Sequence, residues 1–292
     1  MEAYKKFKYR CFFLSFSGAF LALTVLILWM VTTLRPTIKK TVAATPQDAV
    51  YTPVQKDALT LLVMGLEAAD SVPGSYVLLR LDPVAGSIPV VVLPPKTLVS
   101  NGGKEETLAE VYTYGGADYT RIALAETLGI TIDRYARINQ ANFIKAAKTV
   151  GNVEFSLPAE TTITGSGGME IILQKGLQLL DGAKVVGLIT HKDYIENQPA
   201  RCKITGDLAV AIINQRLDVA LSTVVDPVFE AIINLIDSDI TYPDYEQRKA
   251  AAAYMAKLET PPAYYLPLGA SQKGEDYQLT DTFVARIGQV FS

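Results

Sequence analysis

Histidine occurs once in this chain, as His191, and cysteine twice, as Cys11 and Cys202. That scarcity excludes a zinc site of the usual cysteine and histidine ligands. Cys11 falls in a long apolar stretch, so Cys202 stands alone beyond it and no disulfide can form there. A Ser-His-Asp triad could draw only on His191, and no nucleophile-elbow sequence accompanies it. A basic face is missing too. The chain carries 27 basic and 30 acidic residues, and beyond position 40 the balance is 20 basic against 29 acidic. A phosphate-backbone binder needs a positive footprint, so nucleic acid is excluded as a partner. Internal repeats are absent, and low complexity is limited to Ala250–Ala253.

What the sequence has in quantity is apolar residues in two distinct patterns. Cys11–Leu34, CFFLSFSGAFLALTVLILWMVTTL, contains no charge, proline or amide. About 20 apolar residues cross a bilayer core, and a signal peptide carries a shorter apolar region of roughly 7–15. The expectation is an uncleaved transmembrane signal-anchor at 11–34 after a cytoplasmic segment at 1–10. Lys5, Lys6, Lys8 and Arg10 precede the span, and Arg35, Lys39 and Lys40 follow it. This balance places the N-terminus inside and the C-terminal domain outside, in a single-pass cell-membrane protein. Residues 35–57 are polar with scattered prolines and read as a linker.

Beyond the linker, residues 58–292 fit one large α/β domain. Ala58–Leu66 is a continuous apolar run, as in a strand buried on both faces. Tyr76–Leu81 and Ile88–Leu93 are further strands, joined by a turn at 82–87 that contains proline and glycine. Helices are expected at Tyr119–Leu128 before Gly129, at Ala141–Val150 before Gly151, and at Gly206–Leu221. Others are expected at Tyr245–Leu258, capped by Asp244, and at Thr280–Phe291, with a strand at Ala263–Leu268 between them. The alternation predicts a central sheet covered by helices on both faces.

Several short segments, in order, carry a resemblance. They are Leu61–Leu66 followed by Glu67, Tyr76–Pro83 (YVLLRLDP), Val91–Thr97 (VVLPPKT), Glu110–Gly116 (EVYTYGG) and Leu128–Tyr135 (LGITIDRY). Phe143 with Gly151-Asn152-Val153, then Leu180-Asp181-Gly182, and finally Tyr264–Phe291 continue the series. Together they resemble the LytR-CpsA-Psr family of membrane-anchored cell-envelope proteins. The resemblance implies an α-β-α sandwich with a mixed sheet. It also implies an activity, the transfer of a glycopolymer phosphate from a polyprenyl-pyrophosphate carrier to peptidoglycan, aided by magnesium. Such a site needs guanidinium forks for pyrophosphate, carboxylates for the cation, and a long apolar pocket for the lipid.

Matched residue by residue, the chain departs from that site. Its Arg-Ser-Asp-Thr element corresponds to Val72-Pro73-Gly74-Ser75, and Pro95 and Lys96 stand where an arginine and an aspartate are implied. Thr190-His191-Lys192 replaces an Arg-x-Arg pair, and only Arg201 survives of a later Arg-x-x-Arg-Gln. Glu67 retains one carboxylate. The magnesium site therefore reads as lost, and no cofactor is expected. Lys96, His191, Lys192 and Arg201 are the candidate ligand-binding residues; the alternative is that they are solvated loop charges. Tyr112 and Tyr114 read as structural rings beneath the site, and Gly115-Gly116 as a positive-φ turn. Ile171–Leu173, Val185–Ile189 and Val210–Ile213 could line a lipid tunnel, but ordinary core is the better reading. The implied function is a catalytically silent binder of a polyprenyl-linked precursor, a glycan or a partner protein. An active transferase with a rearranged site is the alternative.

The topology is directly testable. A reporter fused after Ser292 should show the activity characteristic of the outside of the cell, and cytoplasmic activity would reverse the assignment.

Overall fold

The computed structural model describes residues 51–165, 168–217 and 225–292, so the apolar run at 11–34 lies outside the described residues. Among the described residues no helix is long and apolar enough to cross a membrane. Tyr51–Ser292 form one compact unit. It begins ahead of the expected start at 58, because Tyr51 is tied in on both ends of its side chain. Its hydroxyl donates to Asp57 at 2.7 Å, and its ring lies 5.5 Å from that of Tyr254.

The chain opens with β1 (Leu59–Leu66), β2 (Ser75–Leu81) and β3 (Ile88–Leu93), then a hairpin of β4 (Leu98–Asn101) and β5 (Lys104–Thr107). Helix α1 (Leu108–Leu128) follows, then β6 (Arg134–Asn139) and α2 (Gln140–Val150). Next come β7 (Val153–Leu157), β8 (Thr161–Thr164), β9 (Glu170–Leu173) and β10 (Gly176–Leu180). These make one interrupted two-stranded ribbon, with β7 paired to β10 and β8 to β9. Helices α3 (Gly182–Ile189), α4 (Lys192–Glu196), α5 (Gln198–Arg216) and α6 (Val225–Ile233) precede the short β11 (Asp237–Ser238). The chain closes with α7 (Tyr242–Met255), β12 (Ala263–Tyr265), the hairpin β13 (Ala270–Lys273) and β14 (Asp276–Leu279), and α8 (Asp281–Val290).

Six strands form a mixed central sheet in the order β11-β6-β1-β2-β3-β12. β1 runs antiparallel to β2 and parallel to β6, and β3 runs parallel to β12. One face packs Leu62, Met64, Tyr76, Leu78, Val91 and Leu93 against α1 and α8. On the other face Ile88 and Val90 meet α5 and α7 through Met255 and Val210. The expected sandwich is therefore present. β1 differs from expectation in one respect: its burial alternates, with Leu61 and Val63 only half-buried. They line a cavity instead of a packed layer.

Helix boundaries moved where a polar cap overrode hydrophobic spacing. α1 starts at Leu108, because Thr107 and Glu110 form a capping box. Gly116, at φ 68° and ψ −162°, kinks this helix, so the expected positive-φ turn is present and the expected helix at Tyr119–Leu128 is the part beyond it. Tyr112 is buried as expected, but Tyr114 is exposed. α5 starts at Gln198, capped by Asn197, instead of at Gly206. Gly206 serves a close approach: a Cβ there would sit 2.2 Å from the Tyr265 ring. The far end expected for this helix, Leu221, lies outside the described residues. β12 stops at Tyr265, short of the expected Leu268, before Pro267, which lacks an N–H for the ladder.

At α7 the cap is Thr241, and Asp244 is its reciprocal partner three residues on. The Asp244 carboxylate also accepts from Arg134 Nε at 2.8 Å and Nη2 at 3.0 Å, which ties the helix to β6. Burial acts to raise this carboxyl, but the hydrogen bonds from Arg134 and Thr241 outweigh burial and hold it at about 2. An unfolded aspartate titrates near 3.9. The stabilisation is therefore complete above about pH 4 and is lost as pH falls toward 2, amounting to about 2 kcal/mol. Asp244→Asn should lower stability at neutral pH by about that much and flatten its decline between pH 4 and 2 in urea titrations. An unchanged pH profile would remove this ion pair from the account.

Candidate functional site

Beyond the end of β1, a cavity of about 510 Å³ opens between β1, the loop after it, the start of α2, the end of α3 and the start of α5. The loop is drawn in by a hydrogen bond from Gly74 N to Gly65 O at 2.8 Å. Gly65 permits this closeness, since a Cβ there would lie 2.8 Å from Ser75 Oγ. Glu67 is exposed at the rim and Gly74 and Ser75 form one wall. Opposite them, Asn139 ends β6 and caps α2 by accepting from Asn142 N at 2.9 Å. Thr190 also lines the cavity, although its hydroxyl is committed to Val186 O at 2.7 Å.

The one cationic side chain among the residues lining this cavity is Arg201, on the first turns of α5. Its Nε donates to Ile189 O at 3.2 Å, which aims the guanidinium across the cavity toward Gly74. A Cβ on residue 74 would lie 3.1 Å from Nη2 and 3.6 Å from Nη1. Burial lowers the affinity of the guanidinium for its proton, and among the described residues no carboxylate offsets that. Arginine remains charged regardless. The result is a desolvated cation, held at one edge and facing a pocket with its two amino groups.

The other three candidates lie elsewhere. Lys96 sits in the turn after β3, paired with Glu275 across a second cavity of about 410 Å³ that Gln198 and Tyr277 also line. The bond to Glu275 raises its affinity for the proton. His191 caps the short α4, its Nδ1 accepting from Asp193 N at 3.4 Å, with its ring 6.0 Å from Tyr194. Lys192 is exposed on the first turn of α4. The structure therefore brings together Arg201, Glu67, Gly74 and Thr190, and leaves Lys96, His191 and Lys192 outside.

Sequence reasoning missed Arg137, which sits between the LGITIDRY segment and Asn139. Its Nη1 donates to Tyr112 Oη at 2.6 Å and its Nη2 pairs with Asp237. Its Nε is buried without a partner. It faces a recess of about 300 Å³ that shares Leu66 and Asn139 with the main cavity. The available signal was an arginine two residues before Asn139, on a strand that also carries Arg134.

Behind the main cavity lies a third, a chamber of about 410 Å³ under the second face of the sheet. Leu61, Val63, Phe143, Val150, Ile212 and Phe229 represent its lining, and Asp181 is the one charged residue on it. The Asp181 carboxylate is committed to capping α3, accepting from Lys184 N at 2.9 Å. Ile138 and Phe143 line both the chamber and the Arg201 cavity, so they form the partition between the two. Of the stretches weighed as tunnel or core, Val185 and Ile212 face the chamber, while Leu173 and Leu188 are core.

A mixed pocket with one guanidinium, beside a large apolar chamber, matches the head-and-tail arrangement that the motif series implied. The LytR_cpsA_psr family model matches residues 27–261. The chain belongs to the LytR-CpsA-Psr family. Among curated relatives, a polyisoprenyl-teichoic acid–peptidoglycan teichoic acid transferase TagU from Halalkalibacterium halodurans is 21% identical over 204 residues, 66% of this chain and 65% of that protein. The Bacillus cereus TagU aligns at 25% identity over 34% of each. This family member thus spans between about a third and two thirds of the length of those relatives. The fold also matches a crystal structure of a Eubacterium siraeum protein with a TM-score of 0.75 and 19% identity, covering 85% of this chain and 96% of that one. TagT bound to LIIa-WTA matches with a TM-score of 0.65 and 16% identity, covering 81% and 90%.

The contact between Arg201 and Gly74 generates a prediction. A carboxylate introduced by Gly74→Asp meets a guanidinium before it can meet a cation. That variant should raise stability by about 1 kcal/mol through a charge-assisted bond, without creating a magnesium site. Thermal melts and magnesium calorimetry check both halves. Tight magnesium binding by Gly74→Asp would show that Arg201 does not occupy that ground.

Proposed function

We propose that this family member binds a polyprenyl-linked envelope precursor, or a related lipid phosphate, without catalysing its transfer. The observation that carries this reading is the apolar chamber adjoining the Arg201 cavity, with Ile138 and Phe143 lining both. The chamber, of about 410 Å³, leaves a contiguous apolar surface outside the packed core, and apolar surface of that kind marks a ligand-binding groove. Large apolar cavities stay dry and take apolar ligands. A polyprenyl tail suits it, because each buried methylene contributes about 0.8 kcal/mol.

Head-group chemistry supports binding over transfer. Magnesium takes octahedral oxygen ligands and favours carboxylates. The cavity offers a single carboxylate, on the exposed Glu67, and Arg201 fills the space beside Gly74. That donor set does not fit the cation. One guanidinium can hold one phosphate bidentately and orient it, with Asn139 and Ser75 as neutral neighbours. The Thr190 hydroxyl is already bonded to Val186 O, which leaves the exposed Glu67 as the one carboxylate lining this cavity. The relatives named transferases and TagT bound to LIIa-WTA support a lipid-linked envelope glycan as the ligand class. The membrane anchor and extracellular location are part of this proposal, resting on the apolar run at 11–34.

If the tail dominates, polyprenyl phosphate and polyprenyl alcohol should bind within about tenfold of each other, a difference of ~1.4 kcal/mol. Arg201→Ala should narrow even that gap. Native mass spectrometry with both lipids measures it, beside a transfer assay with and without magnesium. Magnesium-dependent transfer, or a preference of several hundredfold for the phosphate, would restore the active-enzyme reading.

A further inference from the structure

The recess beside the Arg201 cavity holds polar groups that the fold leaves unspent. It measures about 300 Å³, and Asp70, Arg137, Asn139, Asn142, Asn234 and Asp237 are its polar lining. Ligand pockets begin at roughly that size. Each of the three asparagines commits one half of its amide. Asn139 Oδ1 accepts from Asn142 N, Asn142 Nδ2 donates to Leu235 O at 2.9 Å, and Asn234 Nδ2 donates to Glu230 O at 2.7 Å. Asn139 Nδ2, Asn142 Oδ1 and Asn234 Oδ1 then have no partner among the described residues. Asp70 is exposed, and no described residue bonds its carboxylate. Arg137 uses two of its five N–H groups, on Tyr112 and Asp237. Spare donors and spare acceptors thus line one hollow.

We propose that this recess holds the first sugar of a phosphate-linked head group, an uncharged and hydroxyl-rich ring, with Arg137 and Asp70 as its specificity-determining residues. The inference rests on the proposed lipid phosphate ligand. Position and charge select the sugar. Leu66 and Asn139 line both the recess and the Arg201 cavity, so a group attached to a phosphate at Arg201 is within reach of the recess. Ile236 lines the recess and the chamber, which groups all three cavities around the end of β6. A second phosphate is the other group that could follow the first, and electrostatics disfavours it. Arg201 has no carboxylate partner among the described residues, whereas Arg137 is paired with Asp237 and shares the recess with Asp70. One guanidinium against two carboxylates gives the recess a net negative charge, which repels phosphate and uronic acid alike. A sugar hydroxyl both donates and accepts, so neighbouring hydroxyls satisfy carboxylate, amide and guanidinium together. A site built to hydrogen-bond hydroxyls rejects a ligand that lacks them, because its polar groups are then left unpaired.

The experiment titrates the full chain in detergent micelles, by native mass spectrometry, with three lipids that share one tail. They are polyprenyl methyl phosphate, glucosyl polyprenyl phosphate and glucuronosyl polyprenyl phosphate. The first two carry the same phosphodiester charge, and the third adds a carboxylate. The glucosyl lipid should bind about tenfold tighter than the methyl lipid, as expected for hydrogen bonds to charged groups. The glucuronosyl lipid should bind no tighter than the methyl lipid. Asp70→Lys should reverse the order of the two sugars, and its thermal melt should match the parent, since this side chain has no partner among the described residues. Arg137→Ala should erase the glucosyl advantage, and Arg137→Lys should keep part of it. Because Arg137 also ties Tyr112 to Asp237, Asp70→Lys decides the matter if Arg137→Ala fails to fold. Binding of the methyl lipid with no gain from glucose would overturn the sugar recess and leave the lipid phosphate reading standing. A glucosyl advantage that survives both Asp70→Lys and Arg137→Ala would put the sugar elsewhere and overturn it too. Binding of none of the three lipids would sink the ligand reading, and the recess with it.

Discussion

The second face of β1 and β6 is the constraint around which this domain is arranged. Leu61, Val63, Ala136 and Ile138 belong to the central sheet, yet among the described residues they line a cavity, whereas Leu62 and Met64 on the opposite face are fully buried. A sheet can leave one face under-packed only if the other is packed without gaps. Here α1 and α8 supply that, with Leu108, Leu124, Ile287 and Phe291 almost fully buried. The same arrangement sets Phe143 between the chamber and the Arg201 cavity, so packing geometry and ligand geometry have one cause.

The electrostatics of the site follow from a glycine. Because residue 74 has no side chain, Arg201 can lie against its backbone, and its guanidinium sits where the family's chemistry would call for a carboxylate. A cation there attracts phosphate and repels magnesium, which separates binding from metal-assisted transfer in a single contact. Lys96, which stands in the other position where a metal-binding carboxylate was implied, is neutralised by Glu275 in a different cavity. The two positions differ in kind: beside one lies a buried guanidinium, and the other forms a surface ion pair worth little to stability.

Strands β1, β2, β3 and β12 and the helix ends at Gly129 and Gly151 were legible in the sequence, because apolar runs and glycines act locally; β6 and the hairpins β4–β5 and β13–β14 were not. The misplaced starts share a cause: Thr107, Asn197 and Thr241 cap helices through side-chain bonds that leave no mark in hydrophobic spacing. The ribbon of β7 to β10 went unread, since Leu177 and Leu179 break the polar-out pattern by which a half-buried strand is recognised. For the site, motif matching singled out Arg201, Glu67 and Gly74, which line one cavity. It could not show that the turn holding Lys96 faces another, because that depends on Glu275, 179 residues away. Nor could it separate chamber from core: Val185 and Leu188 are both apolar residues on α3, and only the fold decides which of them faces a void.

The central claim is that the chamber, more than the head-group pocket, holds the ligand. The most direct measurement is photo-cross-linking with a polyprenyl phosphate carrying a diazirine near the end of its tail, followed by peptide mapping. The account predicts adducts on chamber residues such as Phe143, Val150 and Ile212, retained when Arg201 is replaced by alanine. Adducts confined to the protein surface, or lost with Arg201, would contradict it.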